Sequence, residues 1–302
     1  MKPSRAGLSL KLPRLHFIAA LALGFLATGL ARSQDADGVR VLTDIAYKSG
    51  AALTDYERQR CKLDVYLPAT GKNFATLVWF HGGGLQKGDK AGTPEDTVKT
   101  PLIARSLARA GIAVVAPNYR LSPQAKFPAY IEDSAAAVAW AQANMTQHGA
   151  DPAKLFIGGH SAGGYLAFML GMDVRYLTAA GMKPTAIAGY IPVSGQTMTH
   201  YTVREERGLP RNSVTADAAA PVHFIRKDTP PMLVIYADRD MVARAEENAY
   251  FVAMMQGVGN KGVIGKQITD RTHGSIASKM ENADDPARLA ILEFIRATGG
   301  SR

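Results

Sequence analysis

Short apolar segments alternate with longer helix-like segments along most of this chain. The segment 62–67 (KLDVYL) alternates polar and apolar side chains, as a half-buried strand does. The segments 76–80 (TLVWF) and 112–116 (IAVVA) are continuously apolar, which is typical of strands covered on both faces. Further strands are predicted over 155–157, 187–193, 232–237 and 263–269, and helices over 97–110, 130–145, 165–170, 242–256 and 286–296. This alternation predicts an α/β fold with a mostly parallel, doubly wound sheet and helices on both faces.

Two regions depart from the alternation. Strands near 41–47 and 62–67 are joined by a short connection, and because parallel pairing needs a crossover, they are expected to form an antiparallel edge pair. The segment 197–231 is polar, contains several prolines and lies between two predicted strands, so it is a candidate cap or lid. The alternative is that this segment is an ordinary surface loop. With these additions, residues 34–302 are predicted to form a single domain.

The first 33 residues have the composition of an export signal. Basic residues precede a 15-residue uncharged segment, 17–31 (FIAALALGFLATGLA), and small residues close it. A membrane-spanning helix needs about 20 apolar residues, whereas the apolar core of a signal peptide has roughly 7–15. We therefore predict a signal peptide over 1–33, cleaved after Ala31 or Ser33, and a periplasmic or secreted protein with no stable membrane anchor. An uncleaved anchor is the alternative.

The net charge of +9 is concentrated in this leader. Five basic residues and no acid lie within residues 1–33, which leaves +4 over the other 269 residues. No basic stripe interleaved with aromatic side chains follows, so nucleic-acid binding is not expected. A single cysteine, Cys61, excludes an intrachain disulfide framework and a cysteine-based zinc site, and it suits an oxidising compartment.

The segment Gly159–Gly164 (GHSAGG) contains G-x-S-x-G between a predicted strand and a predicted helix. This context is that of a nucleophile elbow, in which Ser161 lies on a tight turn. Glycines two residues to either side are needed because a Cβ there would collide with the neighbouring strand or helix. A structural glycine-rich turn is the alternative.

A second glycine-rich segment, His81–Gly84 (HGGG), follows the apolar strand at 76–80. Glycines at a strand end leave backbone N–H groups uncovered, as in loops that stabilise an oxyanion. We expect the N–H groups of Gly83, Gly84 and Ala162 to form the oxyanion hole. His81 is expected to hold this loop in place rather than to react.

A serine nucleophile needs a base, and His273, on a loop after the last predicted strand, is the strongest candidate. His160 is expected to point away from the serine beside it, and His148 lies at the opposite end of the sheet. The histidine in turn needs a carboxylate. Asp240 follows the strand at 232–237 and is preferred over Asp238 because it lies farther into the loop; helix-capping and turn roles are the alternatives for the two.

The order Ser161, Asp240, His273 together with both glycine motifs resembles the α/β-hydrolase family. HGGG (81–84), NYRLSP (118–123) and GHSAGG (159–164) are similar to carboxylesterases of the hormone-sensitive-lipase group. HGGGLQKGD (81–89) is similar to feruloyl-esterase-like and arylformamidase-like members. The resemblance covers about residues 60–298. It departs from the family at His160, where the lipase group usually has Asp, and at Ala237, where Gly is frequent.

The resemblance implies an α/β-hydrolase fold and a serine esterase, with Ser161, Asp240 and His273 as the catalytic triad. Arg120 and Asp133 match family positions too and are interpreted as a structural charge pair. No metal or organic cofactor is expected, and the partner is a small-molecule ester. Short acyl chains are favoured because no long apolar lid helix is evident. Arylformamidase or peptidase activity with the same triad, or an inactive binding module, are the alternatives. The oligomeric state is not readable from the chain.

Overall fold

The structure is a computed structural model, and it describes residue 1, residues 33–34 and residues 38–299. All the elements given below belong to one compact unit. The predicted signal peptide lies outside the described residues except for Met1 and Ser33, so its cleavage and the export of the protein stay predictions. Among the residues that are described, no helix is long and apolar enough to cross a membrane.

Nine strands in the described part of the chain form one sheet, in the order β1-β2-β3-β5-β4-β6-β7-β8-β9. Their bounds are β1 Ser33–Gln34, β2 Arg40–Ala46, β3 Lys62–Leu67, β4 Phe74–Phe80, β5 Ala113–Pro117, β6 Ala150–His160, β7 Gly189–Val193, β8 Met232–Arg239 and β9 Val263–Thr272. The pairs β1–β2, β2–β3 and β3–β5 are antiparallel, and every other pair is parallel. The predicted fold class and the predicted antiparallel pair are confirmed.

Helices cover both faces of this sheet. They are α1 Asp55–Arg60, α2 Thr100–Arg109, α3 Ala129–Asn144, α4 Ala162–Met172, α5 Val174–Ala179, α6 Tyr201–Glu206, α7 Arg244–Gly257, α8 Ser275–Ser278 and α9 Pro286–Gly299. Along β4, Val78 and Phe80 belong to a core shared with α3, α4 and α7. The alternate residues Leu77 and Trp79 belong to a second core shared with α2 and α9. Burial on both faces explains why this strand is continuously apolar.

Arg120 and Asp133 form the expected charge pair. The Nε and Nη2 atoms of Arg120 donate to the two carboxylate oxygens of Asp133, each at 2.8 Å, and the Asp133 side chain is fully buried. Lys48 also bonds the same carboxylate. A two-pronged guanidinium–carboxylate contact of this kind fixes the segment after β5 against α3.

The parallel part of the sheet determines where the candidate residues meet. The strands β4, β6, β8 and β9 end at Phe80, His160, Arg239 and Thr272, so each is followed at once by one candidate. Carboxyl ends of parallel strands lie at one edge of a sheet, which is where ligands bind in open α/β sheets. The glycine loop, Ser161, Asp240 and His273 are therefore carried to a common edge by chain topology.

Candidate active site

Ser161 occupies a strained turn between β6 and α4. Its φ of 58° and ψ of −116° lie in a region that non-glycine residues rarely adopt, and its N–H donates to the carbonyl of Val193 at 2.9 Å. A Cβ at Gly159 would lie 2.6 Å from the backbone of Gly163, and one at Gly163 would lie 2.0 Å from the carbonyl oxygen of Phe80. Only glycine at both positions permits this approach of α4 to β4, which holds the serine at the rim of the sheet.

The structure brings Ser161, His273 and Asp240 into one hydrogen-bonded chain. The Oγ of Ser161 lies 2.8 Å from Nε2 of His273, and Nδ1 of the same ring lies 2.5 Å from Oδ1 of Asp240. The Asp240 side chain is fully buried, whereas that of His273 is partly exposed. With a proton on Nδ1 donated to the carboxylate, Nε2 is left free to accept the proton of the serine hydroxyl.

Asp240 is held in its charged form by its surroundings. Burial opposes ionisation, but hydrogen bonds from His273 and Ser194 outweigh it and hold the pKa of Asp240 below its usual value. The Oγ of Ser194 donates to Oδ2 at 2.5 Å, and the N–H of Met241 donates to Oδ1 at 2.8 Å. Both carboxylate oxygens are therefore occupied, and the orientation of Asp240 toward the imidazole is fixed.

The rival candidates have other contacts. Asp238 is exposed and accepts from the N–H groups of Asp270 and Arg271 at 3.0 Å each, so it ties the end of β8 to β9. Asp240 does not cap a helix, because α7 begins at Arg244 with Ala243 as its N-cap. His148 ends a 3₁₀ turn before β6, at the opposite end of that strand from Ser161.

His160 forms its hydrogen bond with His273 rather than with Ser161. It is buried, its Nε2 donates to the backbone carbonyl of His273 at 2.7 Å, and the two imidazole rings lie 4.8 Å apart. Burial, followed by the neighbouring charge of His273, lowers its pKa to about 3. His160 is thus a neutral hydrogen-bond donor that anchors the loop carrying His273.

The glycine-rich loop exposes backbone donors beside the serine. In the region covered by the structure, the N–H groups of Gly83 and Gly84 have no hydrogen-bond acceptor, and both residues have positive φ, 108° and 65°. Ala162 is the first residue of α4, so its N–H lacks an acceptor within the helix. These groups can converge on one oxygen, as an oxyanion hole requires.

His81 holds this loop, as the sequence suggests. Its ring stacks on Tyr119 at 4.4 Å between centroids, and its Nδ1 donates to the carbonyl of Gly82 at 2.7 Å. The hydroxyl of Tyr119 donates in turn to the carbonyl of His81 at 2.8 Å. Burial lowers the pKa of His81 to about 4, which keeps the ring neutral.

A cavity of about 580 Å³ opens over these residues. Its lining includes the glycine loop, Ser161 and His273, and most of the other lining side chains are polar, among them Gln86, Lys87 and Asp96. Among the residues described, no group of three or more His, Cys, Asp or Glu side chains is arranged to hold a metal ion.

The segment 197–231 forms one wall of this cavity. It contains α6 and a 3₁₀ turn at Pro221–Phe224. Thr202 donates from its hydroxyl to the carbonyl of Gly84 at 2.5 Å, and Tyr201 and Arg211 line the cavity. A Cβ on Gly84 would lie only 1.9 Å from the hydroxyl oxygen of Tyr201. The segment is therefore packed directly against the glycine loop.

Several solved structures that superpose on this chain are esterases by name. A truncated carbohydrate esterase from gut microbiota superposes with a TM-score of 0.69 at 20% identity, covering 86% of this chain and 96% of its own. An esterase from the archaeon Pyrobaculum calidifontis superposes with a TM-score of 0.60 at 22% identity, over 79% of this chain and 81% of its own. This chain has the α/β-hydrolase fold.

Sequence comparisons agree with the resemblance seen in the motifs. A family model described as BD-FAE matches residues 63–183 of this chain. The probable carboxylic ester hydrolase LipM of Mycobacterium tuberculosis is 27% identical over 256 residues, 78% of this chain and 58% of its own length. The carboxylesterase NlhH of the same species is 30% identical over 51% of this chain and 43% of its own. The predicted resemblance to carboxylesterases is confirmed, although the chain spans only about half the length of these relatives.

Sequence reasoning missed two contributors to the site. Ser194 follows β7 and supports Asp240, but nothing in the sequence around it distinguishes it from an ordinary loop serine. Tyr201 lies in the segment singled out as a candidate cap, yet its contact with Gly84 depends on tertiary packing. His160 was expected to point away from Ser161, and its hydrogen bond to His273 adds an anchoring role.

Proposed function

We propose that this α/β-hydrolase is a serine esterase that cleaves carboxylic esters by way of an acyl-enzyme. The observation that carries the proposal is the continuous hydrogen-bonded chain from Ser161 through His273 to Asp240, at 2.8 and 2.5 Å. The names of the relatives and structural neighbours, carboxylic ester hydrolases and esterases, support the same reaction class.

The proposed reaction begins when the Ser161 oxygen attacks the ester carbonyl and His273 takes the hydroxyl proton on Nε2. The carbonyl oxygen becomes an oxyanion, which the N–H groups of Gly83, Gly84 and Ala162 stabilise. The carbon–oxygen bond to the alcohol then breaks, and His273 returns the proton to the leaving alcohol. Water repeats the sequence on the acyl-enzyme and releases the acid. Asp240 stays ionised throughout and orients the imidazole.

We further propose a preference for short acyl chains. The cavity around Ser161 has a mostly polar lining, including Lys87, Asp96 and Arg211, and it therefore offers few apolar contacts to a long alkyl chain. Each buried methylene contributes about 0.8 kcal/mol only where apolar surface receives it. Activity on p-nitrophenyl esters is expected to fall from acetate and butyrate toward decanoate.

The test compares variants of the triad with variants of their sequence neighbours. Ser161→Ala and Asp240→Asn are expected to lower kcat for p-nitrophenyl acetate by about 10⁴-fold. Asp238→Asn removes a carboxylate from the same loop and is expected to keep the rate within about threefold of wild type, because its contacts are structural. A fluorophosphonate probe should label wild type at Ser161. An equal fall of kcat in Asp238→Asn and Asp240→Asn would contradict the proposal, and so would wild-type turnover by Ser161→Ala.

The same panel separates the alternatives. Faster turnover of N-formyl anilides or of short peptides than of any ester would assign the triad to an arylformamidase or a peptidase. Folded protein that takes up no probe and hydrolyses nothing would indicate a binding module.

A further inference from the structure

A second cavity, of about 550 Å³, adjoins the one over Ser161. Tyr201, Arg211 and Met241 line both cavities, so the two share a wall. The second cavity is bounded by the segment around α6 and by the start of α7, and neither carries a residue of the proposed triad. The second cavity therefore lies directly beside the space over Ser161, where a ligand long enough to pass Tyr201 would occupy both.

Two buried arginines line the second cavity. Arg204, from α6, is 6% exposed, and Arg244, from α7, is 5% exposed. Arg204 donates from Nη1 to the carbonyl of Ser213, and Arg244 donates from Nη1 to the carbonyl of Ser194 at 2.7 Å. The Nε atoms of both are buried without a hydrogen-bond partner. Within the described part of the chain, neither guanidinium forms an ion pair with a carboxylate.

Such an arrangement is costly, because a buried charge normally has a partner of opposite sign or a full set of hydrogen bonds. Arg288, 7% exposed, shows how this fold satisfies a structural arginine. Its Nε and Nη2 donate to the side chain and backbone of Ser106, and its Nη1 donates to the carbonyl of Ala283. Arg204 and Arg244 lack this complement, and both border open space.

The acidic residues that line the cavity do not replace a partner. Glu247 also lines the cavity, but its Oε2 accepts from the N–H of Thr197 at 3.0 Å, and it lies beyond ion-pair distance of both arginines. Burial lowers the pKa of both guanidinium groups, and the charge of Glu247 opposes that shift. Glu246 lines the cavity too, but it is exposed to solvent, which screens its charge.

The mouth of the cavity is apolar. Val214 and Val242 are 88% and 99% exposed, and Tyr250 is half exposed beside them. Exposed apolar side chains at the rim of a cavity mark a surface suited to an apolar or aromatic ligand body. The cavity thus combines an apolar entrance with a cationic interior.

We propose that this second cavity binds an ionised carboxylate on the substrate, so that the preferred esters carry a free acid group joined to the scissile ester by a short apolar or aromatic spacer. The inference rests on the proposed esterase function. A guanidinium presents a planar fork of donors that matches a carboxylate, and here two such groups face one space. Arg244 also bonds the backbone of Ser194 beside Asp240, so the test centres on Arg204.

The experiment measures kcat/KM for matched acid and amide esters, which differ in charge but hardly in shape. One pair, monoethyl glutarate and ethyl glutaramate, carries the charge on the acyl side. The other pair, para-acetoxybenzoate and para-acetoxybenzamide, carries it on the alcohol side. In at least one pair the acid is expected to exceed the amide by about tenfold. The ratio within a pair cancels any general loss of folded or active enzyme.

Variants then assign the preference. Arg204→Gln is expected to reduce the ratio by about tenfold, and Arg204→Lys to restore part of it because the charge returns without the fork. Arg226→Gln is the matched control. Arg226 also has a buried Nε without a partner and donates to the carbonyl of Gly171, but it does not line this cavity. Its ratio should equal that of wild type.

Binding to Ser161→Ala separates failure of this inference from failure of the esterase proposal. Calorimetry with the acid and the amide of each pair should show tighter binding of the acid in at least one pair, whether or not wild type hydrolyses it. Acid preference in binding without turnover would overturn the esterase function and support the anion site. Equal binding and equal turnover in both pairs, or an unchanged ratio in Arg204→Gln, would overturn the anion site.

Discussion

The imidazole of His160 donates a hydrogen bond to the backbone carbonyl of His273 at 2.7 Å, so the residue beside the proposed nucleophile anchors the loop that carries the proposed base. The bond joins the last residue of β6 to the loop after β9, although β7 and β8 lie between these strands in the sheet. Because Ser161 and His273 must stay at 2.8 Å, a tie between their own chain segments limits how far the loop can move.

Two variants of His160 test the role of this hydrogen bond, because one keeps a ring without the N–H group and the other keeps an N–H group without the ring. His160→Phe keeps a planar ring but loses the N–H, and it is expected to lower kcat by about tenfold and the free energy of unfolding by about 1–3 kcal/mol. His160→Gln retains an N–H near the position of Nε2, and kcat should stay within about threefold of wild type. Steady-state kinetics and urea unfolding provide the two measurements. Equal activity of the two variants would show that the hydrogen bond does not position the base.

Ser194 is expected to act through Asp240. Its buried hydroxyl donates to Oδ2 of that carboxylate at 2.5 Å, so Ser194→Ala removes one of the groups that stabilise the charged form. We expect kcat to fall by about 3- to 10-fold with little change in KM, because the loss affects the orientation of His273 rather than substrate contact. Ser134→Ala is the matched control, since Ser134 is buried and donates to the carbonyl of Tyr130 within α3. A loss of kcat of the same size in Ser134→Ala would mean that Ser194 acts only through stability.

Gly84 is expected to tolerate no side chain. A Cβ there would lie 1.9 Å from the hydroxyl of Tyr201, and φ is +65°. Gly84→Ala should displace the donor loop and lower kcat/KM by about 10²-fold, comparable to loss of one oxyanion donor. Gly111→Ala is the control for backbone strain alone, because φ there is +89° with nothing within 4 Å of the added atom. It should be destabilised but active.

A double variant checks the cause of this loss. In Gly84→Ala/Tyr201→Phe the nearest remaining ring atom would lie 3.0 Å from the new Cβ. Part of the activity lost in Gly84→Ala should therefore return relative to Tyr201→Phe alone. If no activity returns, the loss in Gly84→Ala results from backbone strain rather than from the clash with the Tyr201 hydroxyl.

Stability is expected to fall on mild acidification. Burial lowers the pKa of His81 to about 4 and that of His160 to about 3, and it holds that of His200 well below its usual value of 6.5. As the pH falls below 6.5, the unfolded chain binds protons at these histidines before the folded chain does, so acid favours unfolding. His81 and His160 should each lower the free energy of unfolding by up to about 1.4 kcal/mol per pH unit between pH 6.5 and 4, and His200 acts in the same direction.

Urea unfolding at pH 7.5, 6 and 5 measures this slope above the range in which ordinary carboxylates titrate. In His160→Gln the free energy of unfolding should depend less steeply on pH, because the contribution of one histidine is lost. A free energy of unfolding that is constant between pH 7.5 and 5 would contradict the prediction.

The centre of the sheet could be predicted because strands such as β4, β5 and β7 are buried on both faces and therefore appear as continuous apolar segments. The predicted strand at 76–80 corresponds to β4, and the predicted strand at 232–237 corresponds to β8. Helix α1 was missed. Thr54 and Glu57 form a capping box that signals its start, but the helix has only six residues and none of them is buried, so no apolar periodicity accompanies the cap.

The residues of the site could be predicted where a backbone constraint accompanies the chemistry. Ser161 is marked by flanking glycines, and His273 and Asp240 follow apolar strands whose ends must meet. Ser194, Arg204 and Arg244 carry no such mark, because what distinguishes them is the set of partners that they have or lack after folding. The cavity wall formed by 197–231 depends likewise on packing that no local pattern encodes.

The close approach of Gly163 to the carbonyl of Phe80 has a consequence for how this chain can change. It packs the turn that carries Ser161 against the end of the strand that leads into the glycine-rich loop, so a side chain at position 163 would displace both. The cavity walls around Tyr201, Arg204 and Arg211 come instead from the segment 197–231 between β7 and β8. Exchange of that segment is therefore expected to alter the selectivity of the proposed esterase while Ser161, His273 and Asp240 stay in place, which makes it the natural place to engineer selectivity.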